Sequence, residues 1–273
     1  MNESYFIIDK EFMFYRHNDL RPGRPLLLFV HGLGDSGLSY EDVFTYPELN
    51  DHYNIVAPDL IGYGRSSKAS NPERYRFDDH INRLWALIGH LNADSIILLG
   101  HSMGGDITTL MCHENRDSVI KKYINIEGDV TQNELFISSK AVEADRKGQF
   151  DHWFENVLKY RTIFKKLGHL RSSRLYFSSL NFCRKEAFLQ NARELVERNT
   201  CLDSEFKSEI GEIYRNLDLP RVFCYGGKSC SKETIDFLKQ HKMKVKGFKD
   251  AGHAVMVDAK EEFYRFVTEF ISH

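Results

Sequence analysis

The sequence predicts an α/β fold, a mostly parallel sheet flanked by helices, carrying one inserted helical segment. Three observations predict it. Short apolar runs recur along the chain and alternate with amphipathic stretches of helical period. Most of these runs are apolar at consecutive positions, as in strands covered on both faces. The alternation then breaks once, between residues 130 and 219. With 273 residues, 42% of them apolar, the chain can bury one large core without a second domain.

The elements follow in order. "SYFIID" (4–9) and "EFMFYR" (11–16) predict an antiparallel hairpin turning at Asp9-Lys10. "RPGRP" (21–25) breaks the chain before "LLLFVH" (26–31), the first strand of the buried type. Others are "NIVAPD" (54–59), "SIILLG" (95–100), "KKYINIEG" (121–128), "RVFCYGG" (221–227) and "KVKGFKD" (244–250). Helical patterns lie near 38–48, 77–92, 103–116, 231–241 and 257–271. Residues 130–219 are too many for a loop, have helical periodicity and are rich in aromatics. They predict a helical cap inserted into a core made of 1–129 and 220–273.

Composition excludes several function classes. A net charge of −2 gives no global attraction to nucleic acid or to an anionic membrane. The first residues carry Glu3, Asp9 and Glu11, and their apolar runs are too short for a signal peptide. No run approaches the ~18 residues of a membrane span. The five cysteines (Cys112, Cys183, Cys201, Cys224, Cys230) are odd in number and form no Cys-x-x-Cys, so neither a zinc site nor a disulfide framework is indicated. The expectation is a cytoplasmic protein without membrane span, metal or cofactor.

Two glycine motifs compete for the function. "GLGDSG" (32–37) follows a strand, precedes a helix, and has Asp59 at the end of the next strand, which together fit a dinucleotide-binding turn. That reading leaves the rest of the chain unexplained. "Gly100-His101-Ser102-Met103-Gly104" fits Gly-x-Ser-x-Gly between a strand and a helix, where small neighbours let a serine sit on a sharp turn with its Oγ exposed. The alternative for Ser102 is a plain N-cap. Against it, Gly104-Gly105 would be poor residues for a first helical turn unless close packing required them.

A serine nucleophile needs a base and donors for the charge that develops on the carbonyl oxygen. His253, in "DAGHAVMVD" on the loop after the last strand, returns to the same sheet edge as Ser102 and is the candidate base. His31 and His101 adjoin motif glycines and read as structural, while His80 reads as a surface residue. The candidate donors are the amides of Met103, just after the serine, and Leu33, in the loop after "LLLFVH". On this reading "GLGDSG" binds an oxyanion in place of a pyrophosphate.

Together "HGLGDSG" (31–37), "DLIGYGRSS" (59–67), "GHSMGG" (100–105) and "AGH" (251–253) resemble the α/β-hydrolase family, in its order and at plausible separations. The resemblance covers about 1–130 and 219–273. It implies acyl-enzyme hydrolysis of an ester, thioester or amide, without cofactor or metal. It also implies an acid after the strand at 221–227, in a pattern like Gly-x-x-Asp. Here that stretch reads "YGGKSCSK", with Ser229 in the acid's place. Certain haloalkane dehalogenases carry a glutamate after the strand that corresponds to 121–126, and Glu127 falls there, with Asp129 as the rival. Their nucleophile is an aspartate, so Ser102 argues against carbon–halogen cleavage. Asp59 resembles the family's structural turn beneath the site, and Asp35 reads as a solvated loop residue.

From Val157 to Lys185 the insertion has no acid and many cations. This reads as a solvated face balanced by acids at 186–212, the functional alternative being contact with an acidic substrate or partner. The resulting expectation is a serine esterase acting on a small-molecule acyl substrate through Ser102, His253 and Glu127. A thioesterase, amidase or carbon–carbon hydrolase with the same residues, or a non-catalytic ligand binder, are the alternatives.

Overall fold

The computed structural model describes residues 1–69, 71–200 and 208–272. Its strands are β1 (Asn2–Ile8), β2 (Glu11–His17), β3 (Leu26–Val30), β4 (Asn54–Pro58), β5 (Ile96–His101), β6 (Ile120–Ile126), β7 (Arg221–Gly226) and β8 (Val245–Phe248). They form one sheet in the order β1-β2-β4-β3-β5-β6-β7-β8. The β1–β2 hairpin turns at Asp9 and Lys10, both at positive φ (50° and 67°), the backbone that a two-residue hairpin turn requires. β2 joins β4 antiparallel, and every pairing from β4 through β8 is parallel.

β3 and β5 are buried at every position, which is why their sequences do not alternate. One face of the sheet packs Leu26, Leu28, Val30 and Leu98 against the first helical layer, and the other packs Leu27, Phe29, Leu99 and Ile124 against the second. The α-helices before the insertion are α1 (Pro47–Asn50), α2 (Phe77–His90) and α3 (Met103–Glu114). The pattern at 38–48 is not one helix: a 3-10 helix, Gly37–Thr45, gives way at extended Tyr46 to α1, because the residue before Pro47 is driven out of the helical region.

Between β6 and β7 come α4 (Phe136–Arg146), α5 (Phe150–His152), a π-helix at Trp153–Lys166, α6 (Arg171–Phe182), α7 (Lys185–Thr200) and α8 (Glu209–Asn216). Many aromatics of this stretch serve its own packing: Phe188 lies 5.0–6.3 Å, ring to ring, from Phe150, Trp153 and Phe154. The cations there are balanced differently from expectation. Lys159 pairs with Glu155 at 2.9 Å, Lys185 with Asp151 at 3.0 Å, and Arg171 with Asp42. These acids precede the run instead of following it, and residues 201–207 of the expected acidic stretch lie outside the described residues.

The chain closes with α9 (Lys232–Gln240), α10 (Val255–Asp258) and α11 (Lys260–Ser272). The last helical pattern is thus two helices, separated at Ala259, whose ψ of 42° is not helical. Cys112, Cys183, Cys224 and Cys230 are free thiols, while Cys201 lies outside the described residues. Among the described residues no helix is long and apolar enough to cross a membrane.

Candidate active site

β5 delivers Ser102 to the carboxyl edge of the sheet. Its backbone turns sharply there, at φ 52° and ψ −127°, before α3 starts at Met103. A left-handed φ is costly for a residue with a Cβ, and neighbouring contacts must hold it. Ser102 N donates to Ile126 O of β6 at 2.9 Å, and Gly105 N donates to Ser102 O at 2.6 Å. Gly104 is required by close approach: a Cβ there would lie 2.2 Å from Val30 O on β3. This is the packing demand that makes glycine acceptable in the first turn of α3.

β6 delivers the candidate acid. Glu127 directly follows the strand at φ 48°, with its amide bonded to Cys224 O at 3.0 Å. The next amide, Gly128 N, donates to Asn125 Oδ1 at 2.7 Å. Glu127 Oε2 lies 2.6 Å from His253 Nδ1. A carboxylate only accepts, so Nδ1 carries the proton and Nε2 is left as the basic nitrogen. Glu127 is 3% exposed, whereas the His253 side chain opens to solvent. Burial among the surrounding atoms opposes the imidazolium, but the charge and hydrogen bond of Glu127 outweigh it, and the His253 pKa is raised.

His253 is held to the serine turn through His101. His101 Nε2 donates to His253 O at 3.1 Å, and the two rings stand 4.6 Å apart. Burial, with His253 nearby, pushes the His101 pKa well down, so His101 is a neutral support. Asp258 Oδ2 accepts from Gly252 N at 3.0 Å and steadies the same loop.

A strained serine at a strand–helix turn, beside a histidine–carboxylate pair at the carboxyl edge of a parallel sheet, agrees with what comparison finds. Residues 25–198 match the family described as the alpha/beta hydrolase fold. The chain belongs to that family.

An uncharacterised hydrolase of Bacillus subtilis is similar to this α/β hydrolase, 36% identical over 103 residues. That stretch covers 38% of this chain and 36% of the relative, so the chain spans little more than a third of its length. The enol-lactonase of Burkholderia xenovorans superposes with a TM-score of 0.77 at 15% identity, covering 99% of this chain and 100% of that one. The epoxide hydrolase of Bacillus megaterium gives 0.74 at 19%, with the same coverage. At such identities the likeness is one of fold.

The other residues singled out in the sequence of this α/β hydrolase fall as follows. Met103 opens α3, and the first amides of a helix have no intrahelical acceptor. Leu33 lies in the loop after β3, whose Gly32 abuts the serine: a Cβ on Gly32 would stand 3.0 Å from Ser102 Cβ. His31 Nε2 accepts from Leu60 N at 2.9 Å, so its Nδ1–H donates to Gly32 O, also at 2.9 Å. That bond fixes the peptide whose other end is the Leu33 amide. Among the described residues neither the Leu33 nor the Met103 amide donates to another backbone group.

The loop at 32–37 packs against the inserted helices. Gly34 is covered by Leu180, Phe188 and Tyr176, each of which would lie 2.7–2.9 Å from a Cβ at that position, and Tyr176 OH donates to Leu33 O at 3.0 Å. Ser36 Oγ and Ser179 Oγ share a hydrogen bond of 2.9 Å. Asp59 is structural, accepting from Arg16, Gly37 and Arg65 at 2.7–2.9 Å.

Two expectations fail. Asp35 is not solvated but 4% exposed, its two oxygens sharing the single Ser39 hydroxyl proton, with a pKa raised by burial. His80 is not on the surface but fully buried against Asn191 Oδ1 at 3.3 Å, because α2 turns it under α7. Of the two candidate acids, Glu127 is the one bonded to His253. Asp129 is 5% exposed, its amide donates to Asp106 Oδ1 at 2.8 Å, and burial among Asp106, Glu134 and Glu127 raises its pKa well above the usual range.

Sequence reasoning missed the donors to Glu127 from the end of β7 and the loop after it: Gly226 N at 2.5 Å and Ser229 Oγ at 2.6 Å. The signal was present, a small hydroxyl residue in the acid's usual place.

Proposed function

We propose that this α/β hydrolase cleaves carboxylic esters through an acyl-enzyme. The observation that carries the reading is the 2.6 Å bond between Glu127 and His253 beside the strained Ser102 turn. Ser102 Oγ attacks the acyl carbon as His253 Nε2 takes its proton, and the Leu33 and Met103 amides hold the resulting oxyanion. The imidazolium, stabilised by Glu127, returns the proton to the departing alkoxide. The alcohol leaves, and Ser102 carries the acyl group. Water then attacks with His253 as base, the oxyanion collapses, and the acid departs with Ser102 restored.

The helices at 130–219 act as a cap. Tyr176, Ser179, Leu180 and Phe188 reach the loop that bears the Leu33 amide, so this segment supplies the roof of the acyl site. The test is labelling with a fluorophosphonate probe, together with hydrolysis of short and long p-nitrophenyl esters. Labelling and hydrolysis in the wild type, both lost in Ser102→Ala, are expected. A wild-type protein that neither labels nor hydrolyses any ester refutes the reading.

A further inference from the structure

Ser229 stands where the sequence led us to expect an acid, yet the loop that carries it has not left the charge system. Its hydroxyl lies 2.6 Å from Glu127 Oε1 and 3.2 Å from Gly226 O. A hydroxyl has one proton, and the shorter contact to the ionised oxygen claims it. Gly226 N donates to that same Oε1 at 2.5 Å, which leaves Oε2 for His253 Nδ1.

We propose that Ser229 is a positioning residue for Glu127: its hydroxyl fixes the rotation of the carboxylate so that Oε2 faces the imidazole, and withdraws part of its charge. This rests on the reading of Glu127 as the acid. The terminal torsion of a glutamate is broad and roughly two-fold, so a carboxylate held by one amide could turn away from the ring. Two donors converging on Oε1, from the last residue of β7 and from the loop after it, define its plane. By sharing the negative charge of the carboxylate, the hydroxyl also limits how far Glu127 raises the His253 pKa. More of the imidazole is then deprotonated, as the attack on substrate requires. The β7–α9 loop therefore contributes a donor to the acid in place of the acid itself.

The experiment compares wild type, Ser229→Ala, Ser229→Thr and Glu127→Gln in ester hydrolysis across the neutral pH range. Ser229 is an exposed residue, so deleting its Oγ opens no cavity. In Ser229→Ala, kcat is expected to fall about tenfold, the effect of losing one hydrogen bond to a charged group, with KM little changed. The acid limb of kcat/KM is expected to move to higher pH, because a carboxylate that no longer shares its charge with the hydroxyl holds the imidazolium more strongly. Ser229→Thr keeps a hydroxyl and should restore both. A Ser229→Ala enzyme with wild-type kcat and limb overturns the inference, as does a loss of kcat with an unmoved limb that threonine does not rescue. Glu127→Gln separates the two levels. If it is inactive while Ser229→Ala is normal, only the role of Ser229 falls. If it is fully active, the assignment of the acid falls with it.

Discussion

Glu127 and His253 stand 126 residues apart in sequence and 2.6 Å apart in space. The pair joins the end of β6 to the loop after β8, across the end of β7, and it does so with the longer of the two acidic side chains. Replacing Glu127 by Gln keeps the shape and removes the charge. By comparison with other acid-to-amide changes in such systems, kcat should fall by about three to four orders of magnitude. Thermal unfolding should change little. Asp129→Asn should stay within a few-fold of wild type, and a collapse of activity in that variant instead would move the acid to Asp129.

The raised pKa of His253 sets the pH profile. In the proposed mechanism the attacking form has a neutral imidazole, so kcat/KM should climb with pH through a midpoint above the ~6.5 of an ordinary histidine. In Glu127→Gln the charge that raises it is gone, and the residual activity should titrate lower. A wild-type limb below the ordinary histidine value would contradict this electrostatic account.

His80 should make the fold sensitive to acid. Burial, reinforced by the Arg83 charge, depresses its pKa to about 3, so the native protein keeps it neutral where the unfolded chain would protonate. Stability contributed this way is intact above the unfolded value of ~6.5 and is lost as pH falls towards the folded one, at up to about 1.4 kcal/mol per pH unit. Urea midpoints measured at neutral and mildly acid pH should drop for the wild type. In His80→Gln the dependence should be flatter, even if the variant is less stable at neutral pH. Equal slopes in the two proteins would assign acid sensitivity elsewhere.

The cap should influence chemistry as well as binding. Tyr176→Phe removes the hydroxyl that holds Leu33 O, and a neutral hydrogen bond of this kind contributes about 1 kcal/mol. The expected result is a several-fold lower kcat and weaker inhibition by a boronic acid, which mimics the tetrahedral state. A change confined to KM would make Tyr176 a pocket wall and nothing more.

Much of this was legible in the residues. Consecutive apolar runs located β3 through β7, because strands covered on both faces show no alternation. Ser102 and its glycines were legible because close backbone approach admits few residue types. His80 was not, since a lone histidine on α2 gives no sign that α7 will cover it. Asp35 failed for the same reason: α6, whose Ser179 bonds Ser36, meets that loop only in three dimensions. The donors to Glu127 needed the register of β6 on β7, which no local pattern carries.

Glu127, the proposed acid, directly follows β6, and the helical segment leaves the core from that same strand. Within a few residues of Glu127 the departing chain is moored: Asp129 N to Asp106 Oδ1, Asp106 Oδ2 to Asn199 of α7, and Ser208 Oγ to Asp129 O at 3.3 Å. Modular exchange is therefore constrained in this protein. With an acid after β7, a roof could be traded for another and the charge system left alone; here the graft point lies beside the carboxylate. Any transplanted roof would have to bring its own mooring for that junction, and diversification of substrate and preservation of chemistry fall on one short piece of chain.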